Sequence, residues 1–338
     1  MFRGEFMRSK YVSLLGLSWV AIALAGCQQV EKSSFSPDVV NETYVHRYGV
    51  PVSPKDWSDS GHHGQILSSL ANGVVVTKTY NSGVLDGDTT YSYPHSSAIE
   101  KVETYANGVL QKTSIFYLSG APQEEIFYHT PQNRTVLTWY ESGGPKSKEE
   151  FQGNLLFQGS YYGPDNQVES QVVNYHGKRI RRDNYGLLVS VDTIEKGQQT
   201  LRTTYHQNGT PKEVIPYANG RIHGQLRTYM PAGEPCTKEE WNNGVQSGIT
   251  IEYANGEKIA EVSYAEGRKH GVERRYRDGK TVVQETNWVK GQKHGPCTSY
   301  IGNTTKTDWY WQDKQVTKSH YEILNGQGSK KAIWRNVH

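Results

Sequence analysis

Apolar and polar residues alternate along this chain in short runs of five to nine, each closed by a turn that usually carries glycine. Runs of that length suit strands, whereas a helix would need about ten residues or more. The runs are also in phase. Tyr217, Trp241, Tyr264 and Trp288 form one column at steps of 23 or 24 residues. Gly220, Gly244, Gly267 and Gly291 follow three residues later, and Gly224, Gly248, Gly271 and Gly295 seven residues later. Tyr205, Tyr229, Tyr253, Tyr276 and Tyr300 run between them. A fixed period of this length predicts an array of small like units.

One unit, Gly271 to Gly295, holds a run ending in Tyr276, then Asp278-Gly279, a longer run ending in Trp288, and a glycine-bracketed loop. Asn-Gly and Asp-Gly supply the positive φ that tight hairpin turns demand. They recur as Asn72-Gly73, Asn107-Gly108, Asn208-Gly209, Asn219-Gly220 and Asn255-Gly256. Each unit therefore reads as a β-hairpin. The whole reads as an all-β, extended antiparallel meander of tandem hairpins, a single-sheet rod. The first column continues upstream through Tyr80, Tyr105, Tyr128, Phe151, Tyr175 and Ile194, giving about eleven units over residues 61–326. The step from Tyr175 to Ile194 is only 19 residues, which predicts a kink or bulge there.

Tyrosines number 23 against seven phenylalanines. A single sheet has no deep interior, so its contacts are expected from half-buried rings whose hydroxyls reach water. Two strands per unit place equivalent rings about 10 Å apart, giving a rod on the order of 100 Å. Such an array needs capped ends. Trp309, Tyr310 and Trp311 are the candidate C-terminal cap.

The segments Tyr264-Ala-Glu-Gly267-Arg-Lys-His270-Gly271 and Trp288-Val-Lys-Gly291-Gln-Lys-His294-Gly295 closely resemble the bacterial variant of the MORN repeat, found in proteins often labelled antitoxins of the YwqK type. The resemblance is strong over 205–300, moderate over 62–110 and weak over 111–200. It implies extended antiparallel hairpins and a binding or scaffolding role. Toxin neutralisation comes with the family label, and no residue here carries it.

Residues 1–26 read as a lipoprotein signal peptide. Arg3, Arg8 and Lys10 precede an apolar stretch from Val12 to Leu24, too short to span a bilayer as a stable helix. Met7 would open an equally normal signal. Leu24-Ala25-Gly26-Cys27 has the form of a processing site whose Cys27 thiol takes the diacylglycerol, with palmitate among its acyl chains. Two or three such chains anchor firmly, at about 0.8 kcal/mol per buried CH₂. Gln28 and Gln29 after the cysteine resemble outer-membrane sorting in Gram-negative lipoproteins. Residues 27–60 lack periodicity and read as a flexible tether spanning on the order of 30 Å, and residues 327–338 as a basic tail.

The formal net charge of +3 falls to +1 once the signal is removed, which disfavours general nucleic-acid binding. The sign is uneven: residues 201–338 carry +6 and residues 27–200 carry −5. Arg268, Lys269, Arg274, Arg275 and Arg277 crowd one unit, and Lys178, Arg179, Arg181 and Arg182 border the short one. Two readings stand: a surface for acidic lipid, phosphate or protein, or solvated edges that discourage strand pairing. Cys236 and Cys297 lie some five strands apart, on the order of 24 Å, beyond the roughly 7 Å a disulfide allows. His223, His270 and His294 share a slot before glycine, but units about 10 Å apart cannot share one metal ion at Zn–N distances near 2.0 Å.

The chain has no nucleophile elbow, His-Glu-x-x-His, phosphate loop or Cys-x-x-Cys. A shallow ribbon also offers no dry pocket in which pKa values shift. The expectation is therefore no enzyme, cofactor, metal or small-molecule substrate, but a lipid-anchored envelope scaffold for a protein, cell-wall or lipid partner. Trp241, Trp288, Trp309 and Trp311 are its candidate anchors, with the basic cluster beside them. Trp241 and Trp288 sit in register and equally well hold the stack. An antitoxin-like neutraliser is the second reading. A third, an envelope hydrolase, requires a carboxylate or nucleophile pair brought together near residues 175–200.

Overall fold

The computed structural model describes residues 38–335, with side chains through Gly326. The signal peptide and Cys27 lie outside the described residues. Within them the chain is one open antiparallel sheet of 27 strands, not closed into a barrel. It runs from Val39–His46 to Lys314–Val316, each hairpin paired to the next in chain order.

The glycine columns have two separate causes. Strands Glu257–Ala265 and Arg268–Tyr276 are joined by Glu266 and Gly267 at φ 53° and 72°, as a two-residue hairpin turn requires. The turn glycine also stitches units together. Gly244, Gly267 and Gly291 donate their amides to the carbonyls of Ile222, Gln246 and Lys269, one unit back, at 2.8–3.0 Å. The later glycines, Gly224, Gly248, Gly271 and Gly295, have φ of 96–111° and sit directly opposite Trp241, Tyr264, Trp288 and Tyr310. A β-carbon on Gly248 would lie 2.9 Å from Glu240 Cβ. The ring column thus faces a column without side chains.

Tyrosine hydroxyls do more than reach water. Tyr93, Tyr117 and Tyr140 donate to the carbonyls of Phe116, Trp139 and Tyr162, one unit on, at 2.6–2.9 Å. The histidine slot is another stitch: His63, His223 and His270 present Nδ1 to the turn amides of Ser82, Asn243 and Lys290.

The short unit is where the sheet tightens. Strands Val168–Val173 and His176–Arg182 turn through Asn174 and Tyr175, at φ 48° and 70° without glycine. The hairpin is short enough for its neighbours to meet past it. Tyr175 N donates to Phe157 O, Gly197 N to Tyr175 O, and Leu156 N to Gly197 O at 3.0 Å. Leu156, Tyr161, Val172 and Ile194 form a buried cluster here, with Phe151 and Ile180 packed against it.

Both ends differ from the sequence reading. Residues 39–59, expected within the tether, belong to the array. Val39–His46 pairs with Gly64–Leu70, and a helix at Pro54–Asp59, capped by Ser53, drives Trp57 between Tyr44, His62 and Tyr80. The strand is hidden in the sequence because no turn glycine opens it in register. Downstream, the strands end at Val316, short of the expected 326, and Lys318–Arg335 is helical through most of the expected tail. Tyr321 of that helix packs on Trp309, Trp311 and His294 at ring distances of 5.1–5.9 Å.

Candidate functional site: a curled face with buried charge

Alternation along each strand gives the sheet two faces. The face bearing Glu149 is the inner one. In strands Pro145–Gln152, Leu155–Tyr162, Val168–Val173, His176–Arg182 and Leu188–Glu195, it carries the row Glu149, Gly159, Val172, Gly177, Ile194. Beside it runs Arg179, Asp192, Arg202 and Ile215.

Arg179 reaches Glu149 with Nε at 2.5 Å and Nη2 at 2.6 Å. In a flat sheet these strands, three apart, would be about 14 Å from each other. The sheet is therefore curled, and glycines allow it. A β-carbon on Gly177 would stand 2.1 Å from Gln171 O, and one on Gly159 2.4 Å from the Tyr161 hydroxyl, which donates to Glu149 at 2.8 Å. Asp192, fully buried, accepts from Arg202 Nε at 2.7 Å and Nη2 at 2.9 Å, with Arg181 Nε at 3.5 Å.

The electrostatics follow from burial and pairing. Burial alone would raise the Glu149 carboxyl, but Arg179, the Tyr161 hydroxyl and Arg181 together hold it below the usual carboxylate range. The Tyr161 hydroxyl is pushed up by burial and the Glu149 charge. Glu124 is raised, by burial and then by Glu149. Lys146 is lowered by burial, with Asp183 opposing and Arg181 adding to the effect. Arg181 is lowered by burial and the Arg179 charge.

A cleft of 310 Å³ opens beside this cluster, lined by Ile115, Glu124, Thr138, Lys146, Ile180 and Arg181 among others. The sequence points to a face without such a pocket. The cleft lies beside the one unit that is four residues short. Of the basic run beside it, Arg182 pairs with Glu169 at 2.7 and 2.9 Å, and Lys178 has no acidic partner among the described residues.

The expected binding residues are largely engaged elsewhere. Lys269 and Arg275 hold Glu273 at 2.7 and 2.8 Å, and Arg274 holds Glu285 at 2.9 Å. Arg268 and Arg277 are exposed without an acidic partner among the described residues. Trp241 Nε1 donates to Glu239 at 2.9 Å. Trp288 has a buried Nε1 without a partner and Lys269 Nζ 4.7 Å from its ring. Tyr310 lies 5.2 Å from Lys293 Nζ. Cys236 and Cys297 are free thiols.

The sequence reading misses Tyr161, Asp192, Arg202 and Lys146. It sets Glu124 and Glu149 aside as members of adjacent pairs, Glu124-Glu125 and Glu149-Glu150, whose side chains point to opposite faces of a strand. A usable signal is present: Arg179 and Arg181 share a face by alternation, next to the one shortened unit.

No protein-family model matches the chain, and no curated protein does. Among solved structures it is similar to a crystal structure of a point mutant of S. aureus TarM in complex with fondaparinux, α-GlcNAc-glycerol and UDP, at 13% identity and TM-score 0.19, covering 37% of this chain and 21% of that one. It is also similar to the Photorhabdus luminescens Tc holotoxin pore carrying a TccC3 mutation, at 11% identity and TM-score 0.16, covering 83% and 21%. TcdB2-TccC3 without its hypervariable C-terminal region matches at 10% identity and TM-score 0.14, covering 73% and 15%. The chain thus spans about a fifth or less of each of these proteins. At scores this low the likeness bears on neither fold nor function.

Proposed function

We propose that this chain is a non-catalytic binding scaffold of a bacterial cell envelope, lipid-anchored through Cys27, that docks a protein, cell-wall or lipid partner on its sheet. One observation supports this above all. A helix packs near each end of the sheet, through Trp57 on Tyr44 and Tyr80 and through Tyr321 on Trp309 and Trp311, and the long stretch of sheet between them is left as surface. Rigidity supports it too, since turn amides, tyrosines and histidines all tie each unit to the next. A stiff face loses little entropy on binding.

The hydrolase reading requires a carboxylate pair near the short unit. Glu149 and Asp192 are there, but arginines engage both oxygens of each. The Glu124 carboxyl beside them is raised, as a general acid requires, but its neighbour Glu149 has no oxygen left for a base or nucleophile. Crosslinking in intact cells tests the scaffold reading: it predicts a specific partner captured by the native protein, and an empty lane where other envelope complexes are captured would sink it. Metabolic labelling with a palmitate analogue tests the anchor, with label expected on the native chain and absent from Cys27→Ala.

A further inference from the structure

The inner-face cleft holds three ionisable groups that the fold leaves poorly met. The Glu124 carboxylate makes no hydrogen bond or ion pair among the described residues, and the nearby Glu149 charge opposes its ionisation. Lys146 Nζ has Asn184 Oδ1 at 3.4 Å as its hydrogen-bond contact. Arg181 stands 3.5 Å from Asp192, whose two oxygens are already taken by Arg202. Asp183, the other acid near Lys146, accepts the amides of Tyr185 and Leu187 on Oδ1 at 2.9 Å and forms no ion pair with Lys146 among the described residues. Thr138 and Ser147 hydroxyls bond each other at 2.7 Å, and Ile115, Val136 and Ile180 supply apolar wall.

We propose that this cleft binds a small hydroxylated carboxylate of the sugar-acid class, its carboxylate between Lys146 and Arg181 and a hydroxyl donating to Glu124. A bare anion answers the two cations but faces the Glu124 charge. A neutral sugar supplies donors to Glu124 but leaves the cations unanswered. A polyhydroxylated acid does both at once, and opposed groups of this kind fix orientation as well as affinity. At 310 Å³ the cleft lies at the small end of ligand pockets, with room for one ring and not for a polymer. The site is independent of the scaffold reading, which concerns macromolecular partners, and departs from the expectation of no small-molecule partner drawn from the sequence.

Isothermal titration of the full chain with glucuronate, acetate and glucose tests it. Glucuronate should bind saturably and at least about tenfold more tightly than either of the others, tenfold being about 1.4 kcal/mol. Lys146→Gln and Arg181→Gln should each weaken glucuronate about tenfold or more, and Glu124→Gln should erase its advantage over acetate. Lys146 takes no part in the buried pairs, so its variant keeps the test readable if Arg181→Gln alters folding. The proposal is overturned if acetate or glucose binds as well as glucuronate, if no saturable binding occurs, or if Lys146→Gln binds like the native chain.

Discussion

Arg179 commits its guanidinium to a carboxylate 30 residues away, and most of the charge around the short unit is organised about that bond. Removing one member of a buried pair leaves the other charged and unmet, which costs about 3–5 kcal/mol. Arg179→Met should therefore lower the urea midpoint sharply, while Glu149→Met combined with Arg179→Met should recover most of the loss. A double variant as unstable as the single would show that packing, not unpaired charge, sets the cost. Glu124 works in the opposite sense. Its folded pKa is raised, so its contribution to stability is fully present below the ordinary carboxylate value near 4.3 and is lost as pH rises through the folded value. Glu124→Gln should therefore be more stable than the native chain at pH 7, with the gap closing below about pH 4. Urea midpoints measured across pH 3–8 would check this, and a gap independent of pH would exclude ionisation as its cause.

At the scale of the hairpin, what is legible in the sequence divides from what is not. Turns such as Asn255-Gly256 and the ring column Trp241, Tyr264, Trp288 can be read directly, because positive φ is a local requirement that glycine meets. The loop expected between Gly291 and Gly295, by contrast, is strand from Gln292 onward. The position of the irregular unit is legible from its 19-residue step. Its consequence is not, because Glu149, Arg179 and Asp192 meet through curvature and no local pattern encodes curvature. The terminal pieces escape for a related reason: Val39–His46 has no phased glycine, and the Lys318–Arg335 helix carries glycines that argue against helix. The curl itself can be undone. Inserting four residues between Tyr175 and His176 restores a 23-residue step from Tyr175 to Ile194 and should separate Leu156 N from Gly197 O. The Leu156 amide, hydrogen-bonded and expected to exchange slowly in the native chain, should then exchange faster by at least about tenfold, a loss of about 1.4 kcal/mol of local protection. Unchanged protection there would mean that the short hairpin does not set the curvature.

Across the whole array, each unit touches its neighbours, so damage at one end should stay at that end. Trp57 offers the cleanest test, being 3% exposed and packed on Tyr44, His62 and Tyr80. Truncating such a ring costs about 3–5 kcal/mol at the site. In a globule with one shared core that loss would lower the protection of every slow amide together. In a nearest-neighbour array it should release the strands Val39–His46 and Gly64–Leu70 and fade within a few units. Trp57→Ala should thus speed exchange in the first hairpins while leaving the amides around Asp192, more than ten strands away, at native rates. The bared edge strand should also favour association between chains, since its unpaired amides and carbonyls form a template for another strand. Concentration-dependent light scattering would detect that in Trp57→Ala and not in the native chain. Equal acceleration around Asp192 would mean that the curled centre and the capped end unfold as one cooperative body, and the units could no longer be treated as additive.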